Sequence, residues 1–408
     1  MCEKIMWKLK RLGYHIVGFS ILVFAWCVLH SVKRQLLKRN IWLIAEKREE
    51  ARDNGYWFFR YLRETHPETD AYYVITKDSP DLGKVLKYGN VIWNDSFWHC
   101  LYYLAARYSV SSQPFGAYPF RFRFELLMLA SKMCVKKQKT VFLQHGILEK
   151  EVSHTLDYDR CNIDFFVCSA QRECEFVKKL YGYPNGATGC IGLCRYDQLN
   201  NQRKTERILL VMPTQRNWLH RLKPGSPLSR EETERFKGDE YFKKYTELLT
   251  DEIILNSLSE KGYKLYFYLH FGLQDYTPLF LPYKNDVVEI CDRFHYDVQD
   301  LLKRCAAIIT DYSSVHFDVA YMNKPVIYYQ FDYDRFFTNH YGKGYFSYEN
   351  DGFGPCCYDY QELIRTVQEL LINNCAQERK YQMRVDSFFS IRDANNCKRT
   401  YEIIRSLS

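Results

Sequence analysis

The chain lacks a glycine-rich phosphate loop with a lysine directly after it, which excludes a Walker-type nucleotide site. It lacks any recognisable nucleic-acid-binding module. The formal net charge is +8, from 57 Lys and Arg against 49 Asp and Glu. With nucleic acid set aside, that balance favours an acidic lipid surface or a phosphate polymer. Of 15 cysteines none forms a CxxC pair, and neither Cys190 with Cys194 nor Cys356-Cys357 has histidines at zinc spacing. The first residues do not read as a cleaved secretory signal, so scattered thiols point to a reducing cytoplasm. No internal repeat is present, which excludes solenoid architectures.

Hydrophobic residues make up 47% of the chain and charged residues 26%, the balance of a globular protein. Its 408 residues exceed one ordinary core and suit two domains. Aromatics reach 17%, with 34 Tyr; such rings suit sugar or polyol stacking, membrane interfaces and plain core.

The stretch from Ile308 to Asp334 organises the rest. Ala306-Ala307-Ile308-Ile309 is an apolar run bounded by Thr310-Asp311, the pattern of a short buried parallel strand. Ser313 and Ser314 are good N-caps ahead of apolar Val315, Val319 and Met322, which predicts a helix. Asn323-Lys324-Pro325 ends it, and Val326–Tyr329 is the next strand. The unit is β-loop-α-β, the repeat of a doubly wound sheet. Thr310-Asp311-Tyr312-Ser313-Ser314 suits phosphate, because free backbone N–H groups and the helix dipole would face it. A well-capped turn with no ligand fits the same residues equally well.

Alternating strands and helices run along the whole chain. Strands are predicted at Ile41–Ile44, Ala71–Ile75, Val91–Trp93, Tyr108–Val110, Thr140–Leu143, Phe165–Val167 and Gly189–Ile191, forming a first Rossmann-like domain over 40–200. Polar Asn200–Lys204 reads as a linker. A second domain over 201–375 carries strands at Ile208–Val211, Tyr266–Leu269, Val287-Val288, Ile308-Ile309 and Val326-Ile327. Arg216–Glu240 is a polar insertion, either a mobile loop or a surface excursion. Helices over 376–408 are expected to return to the first domain. At the N-terminus, the apolar run Tyr14–Leu29 has basic residues on both sides and falls short of the roughly 20 residues a spanning helix needs. An in-plane membrane helix, a span, and a helix packed on the protein all fit residues 1–39.

His145 sits just beyond the strand Thr140–Leu143 and before Gly146, and a histidine has the side-chain pKa nearest neutrality. That makes it the best general-base candidate, with Glu149, Glu151 and His154 near enough in sequence to orient it. Arg216 follows the strand Ile208–Val211 with Thr214 and Gln215; it suits bidentate contact to a diphosphate, or solvent. Asp332 and Asp334 form a DxD pair, a pattern frequent by chance.

Several of these stretches resemble the CDP-glycerol glycerophosphotransferases, the teichoic-acid primases and polymerases of bacterial cell walls. The resemblance is carried by TDYSS at 310–314, Asp318 and KPVIYYQFDYD. NIWLIAEKREEARDNGYWFFRYLR, LQHG at 143–146, VMPTQR and FFSIRDANNCKRTYEII extend it over about residues 40–405. It implies a GT-B-like α/β fold, two Rossmann-like doubly wound domains facing a cleft, plus the N-terminal hydrophobic helical segment. It implies that His145 is the general base, although Ile147 replaces the family's usual Thr. It implies that His270 contacts the donor phosphates, although Phe271 replaces the usual Pro. Thr214, Arg216, Thr310, Asp311, Ser313, Ser314 and Asp318 become the donor phosphate and nucleotide set. The expected reaction moves glycerol phosphate from CDP-glycerol to a hydroxyl of a lipid-linked acceptor at the cytoplasmic membrane surface, releasing CMP. No metal, other cofactor or nucleic acid is expected. A CDP-ribitol donor serving a capsule, a nucleotide-sugar glycosyltransferase and a degenerate binding subunit are the alternatives.

Overall fold

A computed structural model describes residues 2–120, 124–134, 137–199, 205–221, 224–340 and 342–407. The chain forms two compact units: one contains residues 1–145, 153–198 and 393–408, the other 146–152 and 199–392.

The first unit is built on a sheet of seven parallel strands: β1 (Trp42–Ala45), β2 (Ala71–Ile75), β3 (Val91–Trp93), β4 (Tyr108–Ser111), β5 (Lys139–Phe142), β6 (Phe165–Cys168) and β7 (Thr188–Cys190). Their order is β3-β2-β1-β4-β5-β6-β7. The second unit has six parallel strands: β8 (Ile208–Val211), β9 (Lys264–Tyr268), β10 (Val288–Cys291), β11 (Ala307–Thr310), β12 (Val326–Tyr329) and β13 (Cys356–Cys357), ordered β10-β9-β8-β11-β12-β13. Every residue of β1, β4, β6, β8, β11 and β12 is buried. That is why most of them read as apolar runs: helices cover both faces of a parallel sheet, so neither face needs a polar residue, and only β4, with Ser109 and Ser111, and the last residue of β11, Thr310, depart from this. Strand order reverses between β1 and β4 and again between β8 and β11. The loops leaving the C-terminal ends of those strands are where an open α/β sheet binds its ligands.

Most strands lie within a residue or two of expectation, but β10 runs on to Cys291 past the expected Val287-Val288, and β13 is not among the expected strands. Residues before 40 are no separate appendage. In the helix Cys2–Ser31, Leu22, Ala25 and Leu29 are fully buried, in one cluster with Ile41, Leu43, Leu101 and Leu104. The opposite side leaves Ile16, Val17 and Phe24 exposed. Leu12–Ser31, at mean hydropathy 2.0, is long and apolar enough to cross a membrane by length and composition. Of the C-terminal stretch, only residues 393–408 join the first unit; Asp197 anchors them by accepting from Asn396 and Cys397 at 2.7–2.9 Å. The helix Arg379–Phe388 stays with the second unit. The expected linker Asn200–Lys204 lies outside the described residues. The insertion is packed: Arg230–Gly238 is a helix closed by a Ser229/Glu232 capping box, and its Phe236 stacks on Tyr276 at 3.8 Å.

Replacing Leu22 and Leu29 by Ala should cost about 2–5 kcal/mol at each site, seen as a fall in Tm. Ile16→Ser, on the exposed side, should stay within about 0.5 kcal/mol of the parent. Equal melting of the two variants would remove this helix from the core.

Candidate active site

In the first unit the chain leaves β5 through Leu143 and Gln144 to His145. Gln144 holds φ at +60°, a left-handed conformation that few side chains adopt. Buried neighbours keep it there. Asn54, with no exposed surface, donates from its amide to the carbonyls of Gln144 at 2.7 Å and Leu143 at 3.3 Å. The Gln144 amide donates to the Glu173 carboxylate at 2.9 Å. Arg195 donates to the His145 carbonyl at 2.9 Å and pairs with Asp53 at 2.7 Å, while its own N–H donates to Asn54 at 2.9 Å. Asp53 and Asn54 are themselves set by Glu46, which accepts the N–H groups of Arg52, Asp53 and Tyr56 at 2.6–3.0 Å. The His145 backbone is thus held from beneath while its ring is exposed. Crowding by surrounding protein lowers the ring's pKa from the ordinary imidazole value, with Lys47 and Arg195 adding to the shift and Asp53 opposing it. Solvent access limits the size of that shift, and its direction keeps the imidazole neutral near pH 7, as a base requires.

The expected orienters of His145 are engaged elsewhere. Glu149 directs its carboxylate to His316 at 2.9 Å, to Tyr348 at 3.1 Å and to Lys150. Glu151 pairs through its backbone with Gly342. His154 is exposed, and its carbonyl accepts from Arg160. Asn54 and Arg195 take over the positioning role. Asn54 lies within the NIWLIAEKREEARDNGYWFFRYLR stretch that carries the resemblance, but neither it nor Arg195 stands out in the sequence, since both sit in ordinary polar segments.

In the second unit the ends of β8 and β11 are joined by buried polar groups. Thr310 donates its hydroxyl to the Met212 carbonyl at 2.7 Å. Asp311 accepts from the Thr214 N–H at 2.8 Å and pairs with Arg216 at 2.9 Å. Arg216 has no exposed surface; it forks onto Asp332 at 2.7 and 3.0 Å and lies 5.0–5.2 Å from the rings of Tyr241, Tyr312 and Phe336. Burial alone would lower its pKa, but Asp311 and Asp332 outweigh that and hold it well above the ordinary value. Arg216, expected to suit a diphosphate, here faces Asp311 and Asp332 inside the unit, and Asp311, expected to orient the loop or a ribose, accepts the loop N–H groups of Thr214 and Tyr312. Asp318 is buried in the first turn of its helix, and Thr310 is buried with its hydroxyl on the Met212 carbonyl. Asp332 belongs to the Arg216 network, and Asp334 is exposed.

Ser313, Ser314 and His270 differ. The helix Val315–Tyr321 starts without a side-chain cap from Ser314, while Ser313 accepts the Val315 N–H at a long 3.5 Å, so the expected capping falls to Ser313 alone; both serines are half-buried. His270 follows β9 and accepts the Gly272 N–H on Nδ1 at 3.1 Å, which puts its proton on Nε2 as a donor. A Cβ on Gly272 would lie 2.1 Å from Gln215 Oε1, so the β8 and β9 loops meet closely there. The Thr214 hydroxyl is buried without a hydrogen-bond partner, as is Gln330 Oε1, whose amide donates to the Asp311 carbonyl at 3.1 Å.

A parallel α/β architecture in two units, with an exposed imidazole at one strand end and serines with a histidine at the others, is that of a GT-B-like transferase. The wall teichoic acid polymerase TagF shares the fold, with a TM-score of 0.65 at 16% identity over 96% of this chain and 99% of that one. A family model described as CDP-Glycerol:Poly(glycerophosphate) glycerophosphotransferase matches residues 27–406, and the chain belongs to that family. Minor teichoic acid biosynthesis protein GgaB of Bacillus subtilis (strain 168) is 33% identical over 383 residues, 93% of this chain and 41% of that protein. The teichoic acid glycerol-phosphate primase of the same strain is 32% identical over 120 residues, 29% of each chain. The chain thus spans less than half of GgaB.

Removing the guanidinium would strand two buried carboxylates, so Arg216→Ala should lose about 3–5 kcal/mol. A thermal melt checks this: an unchanged Tm with weaker donor binding would return Arg216 to the ligand.

Proposed function

We propose that this chain transfers glycerol phosphate from CDP-glycerol to a hydroxyl of a lipid-linked acceptor in the synthesis of teichoic acid or a related surface polymer. The family match supports the donor and the reaction class. The observation that carries the mechanism is His145, an exposed imidazole with a lowered pKa on a backbone held rigid by Asn54 and Arg195. The acceptor oxygen attacks the phosphorus that bears the glycerol. The bond from that phosphorus to the bridging oxygen breaks, CMP leaves with the bond's electrons, and the acceptor's proton passes to His145. His270, through Nε2–H, and the hydroxyls of Ser313 and Ser314 donate to the diphosphate as its charge redistributes. Charge is met by side chains, with no metal or other cofactor in the scheme. The exposed apolar side of the N-terminal helix, with Phe24 and Trp26, supports placement at the cytoplasmic face of the membrane, where a soluble donor meets a lipid-borne acceptor.

The base makes the rate rise with pH. Neutral imidazole is the active form and its pKa is lowered, so kcat/KM should climb through a midpoint below about 6.5 and level off above it. His145→Ala should abolish that limb and lower turnover by roughly 10²–10⁴ with donor affinity kept. Turnover near that of the parent would remove His145 from the mechanism.

Binding of CDP-glycerol or CMP, measured as a rise in Tm, tests the donor assignment. Stabilisation by a UDP-sugar instead would favour a glycosyltransferase. The Ser313→Ala, Ser314→Ala double variant should bind CDP-glycerol more weakly while losing no more than about 1 kcal/mol of stability, because Ser314 makes no cap and Ser313 only a long one, from the Val315 N–H at 3.5 Å. Unchanged donor affinity in a folded double variant would take the serines out of the site.

A further inference from the structure

The second unit contains a cavity of about 250 Å³ that none of the donor residues above lines. Its floor comes from Glu149 and Lys150 and its roof from the segment 343–348. Tyr333 and Phe337, both on the helix Tyr333–Asn339, close one side. The walls are determined by packing. Glu151 pairs with Gly342 in an antiparallel bridge, which brings the two segments together. A Cβ on Gly344 would sit 1.9 Å from the Glu149 carbonyl oxygen, so only glycine permits that approach.

The charges in this cavity are arranged for an anion. Glu149 is buried, and burial pushes its pKa up, but Lys150 and His316 outweigh that and bring it down to about 2. Its negative charge is answered chiefly by the Lys150 ammonium, while His316, whose pKa burial lowers, meets one carboxylate oxygen at 2.9 Å and Tyr348 donates to the other at 3.1 Å. His316 in turn lies 2.7 Å from the Tyr328 hydroxyl. Lys150 is fixed against Glu149 and the Tyr312 carbonyl, which ties the cavity floor to the Thr310–Ser314 loop. Lys343 carries a second ammonium, exposed at the rim, 4.9 Å from the Tyr333 ring centre and 5.6 Å from that of Phe337. Ring faces hold it without cancelling its charge.

The volume is below the roughly 300–1,000 Å³ of sites for drug-sized ligands, so a whole nucleotide-linked donor does not fit and a small fragment does. The Lys343 ammonium, with the Glu149-paired Lys150 as a second donor beside it, suits a phosphate. Aromatic walls suit the C–H faces of a short polyol, and the Ser347 and Tyr345 side chains supply polar lining. We propose that this cavity binds a small polyol phosphate, Lys150 and Lys343 holding the phosphate and Tyr333 and Phe337 facing the carbon chain. The choice of polyol rests on the glycerophosphotransferase function proposed above. Two molecules carry that chemistry: the donor, as its transferred group, and the acceptor, as its terminal phosphodiester unit.

Calorimetric titration of the full chain with glycerol phosphate tests the site, with glycerol and inorganic phosphate as controls. Binding is expected for glycerol phosphate, weaker binding for phosphate and none for glycerol. Lys343→Glu should weaken glycerol phosphate about tenfold or more, and Lys343→Arg should restore it to within about threefold. Because Lys343 is exposed, both variants should melt with the parent. Steady-state kinetics then separates the sources: a raised KM for CDP-glycerol in Lys343→Glu assigns the cavity to the donor, and a raised KM for acceptor alone assigns it to the growing chain end. Unchanged glycerol phosphate affinity in Lys343→Glu, or equal binding of glycerol, overturns the site. Failure of the parent to bind CDP-glycerol, with glycerol phosphate binding still sensitive to Lys343, would overturn the donor assignment and leave the cavity standing.

Discussion

Arg216 carries a full positive charge where no water reaches it. An ion so placed is tolerated only when fixed counter-charges answer it, and Asp311 and Asp332 do so at 2.7–3.0 Å. Asp311 ends β11, Arg216 follows β8, and Asp332 follows β12, so one ionic cluster sets three strand ends of the second unit. Asp311 further accepts the Thr214 N–H, and Tyr312 donates its hydroxyl to Asp332 at 3.2 Å. The serines at 313 and 314 hang from this cluster. Their placement is a consequence of charge compensation beneath them; the helix start does not use Ser314 as a cap and takes only a long bond to Ser313, from the Val315 N–H at 3.5 Å.

The first unit uses hydrogen bonds in place of an ionic cluster. Glu46, a carboxyl group whose pKa burial pushes up to about 8, collects three backbone N–H groups and thereby fixes Asp53 and Asn54. Those two hold Arg195 and the strand end before His145. The strained Gln144 is sustained by this ring of hydrogen bonds, each of ordinary net worth of about 1 kcal/mol and together more than the strain. The base proposed at His145, carried on so held a backbone, would lose little entropy on engaging substrate.

Glu149 shows how a charged residue changes meaning with its surroundings. It lies four positions past His145 and reads as an orienting acid for it. In the folded chain it belongs to the second unit and answers Lys150 and His316. The cavity it floors comes from segments nearly two hundred positions apart, which no local pattern could have joined.

Sequence alone determined the parallel α/β class, because strands buried on both faces must be apolar throughout, and Ile208–Val211 and Ala307–Ile309 are. It also located the candidate loops, since His145, His270 and Ser313-Ser314 follow strands whose positions were legible from those runs. Only the tertiary structure decided which polar residues are buried against each other and which keep exposed surface. Arg216, Asp311 and Asp318 carry the same charge in either role, and burial, which local sequence does not encode, separates the two. The N-terminal helix was ambiguous for a related reason. Its apolar residues fit lipid or protein equally, and the partner surface that buries Leu22, Ala25 and Leu29 is assembled from residues far along the chain.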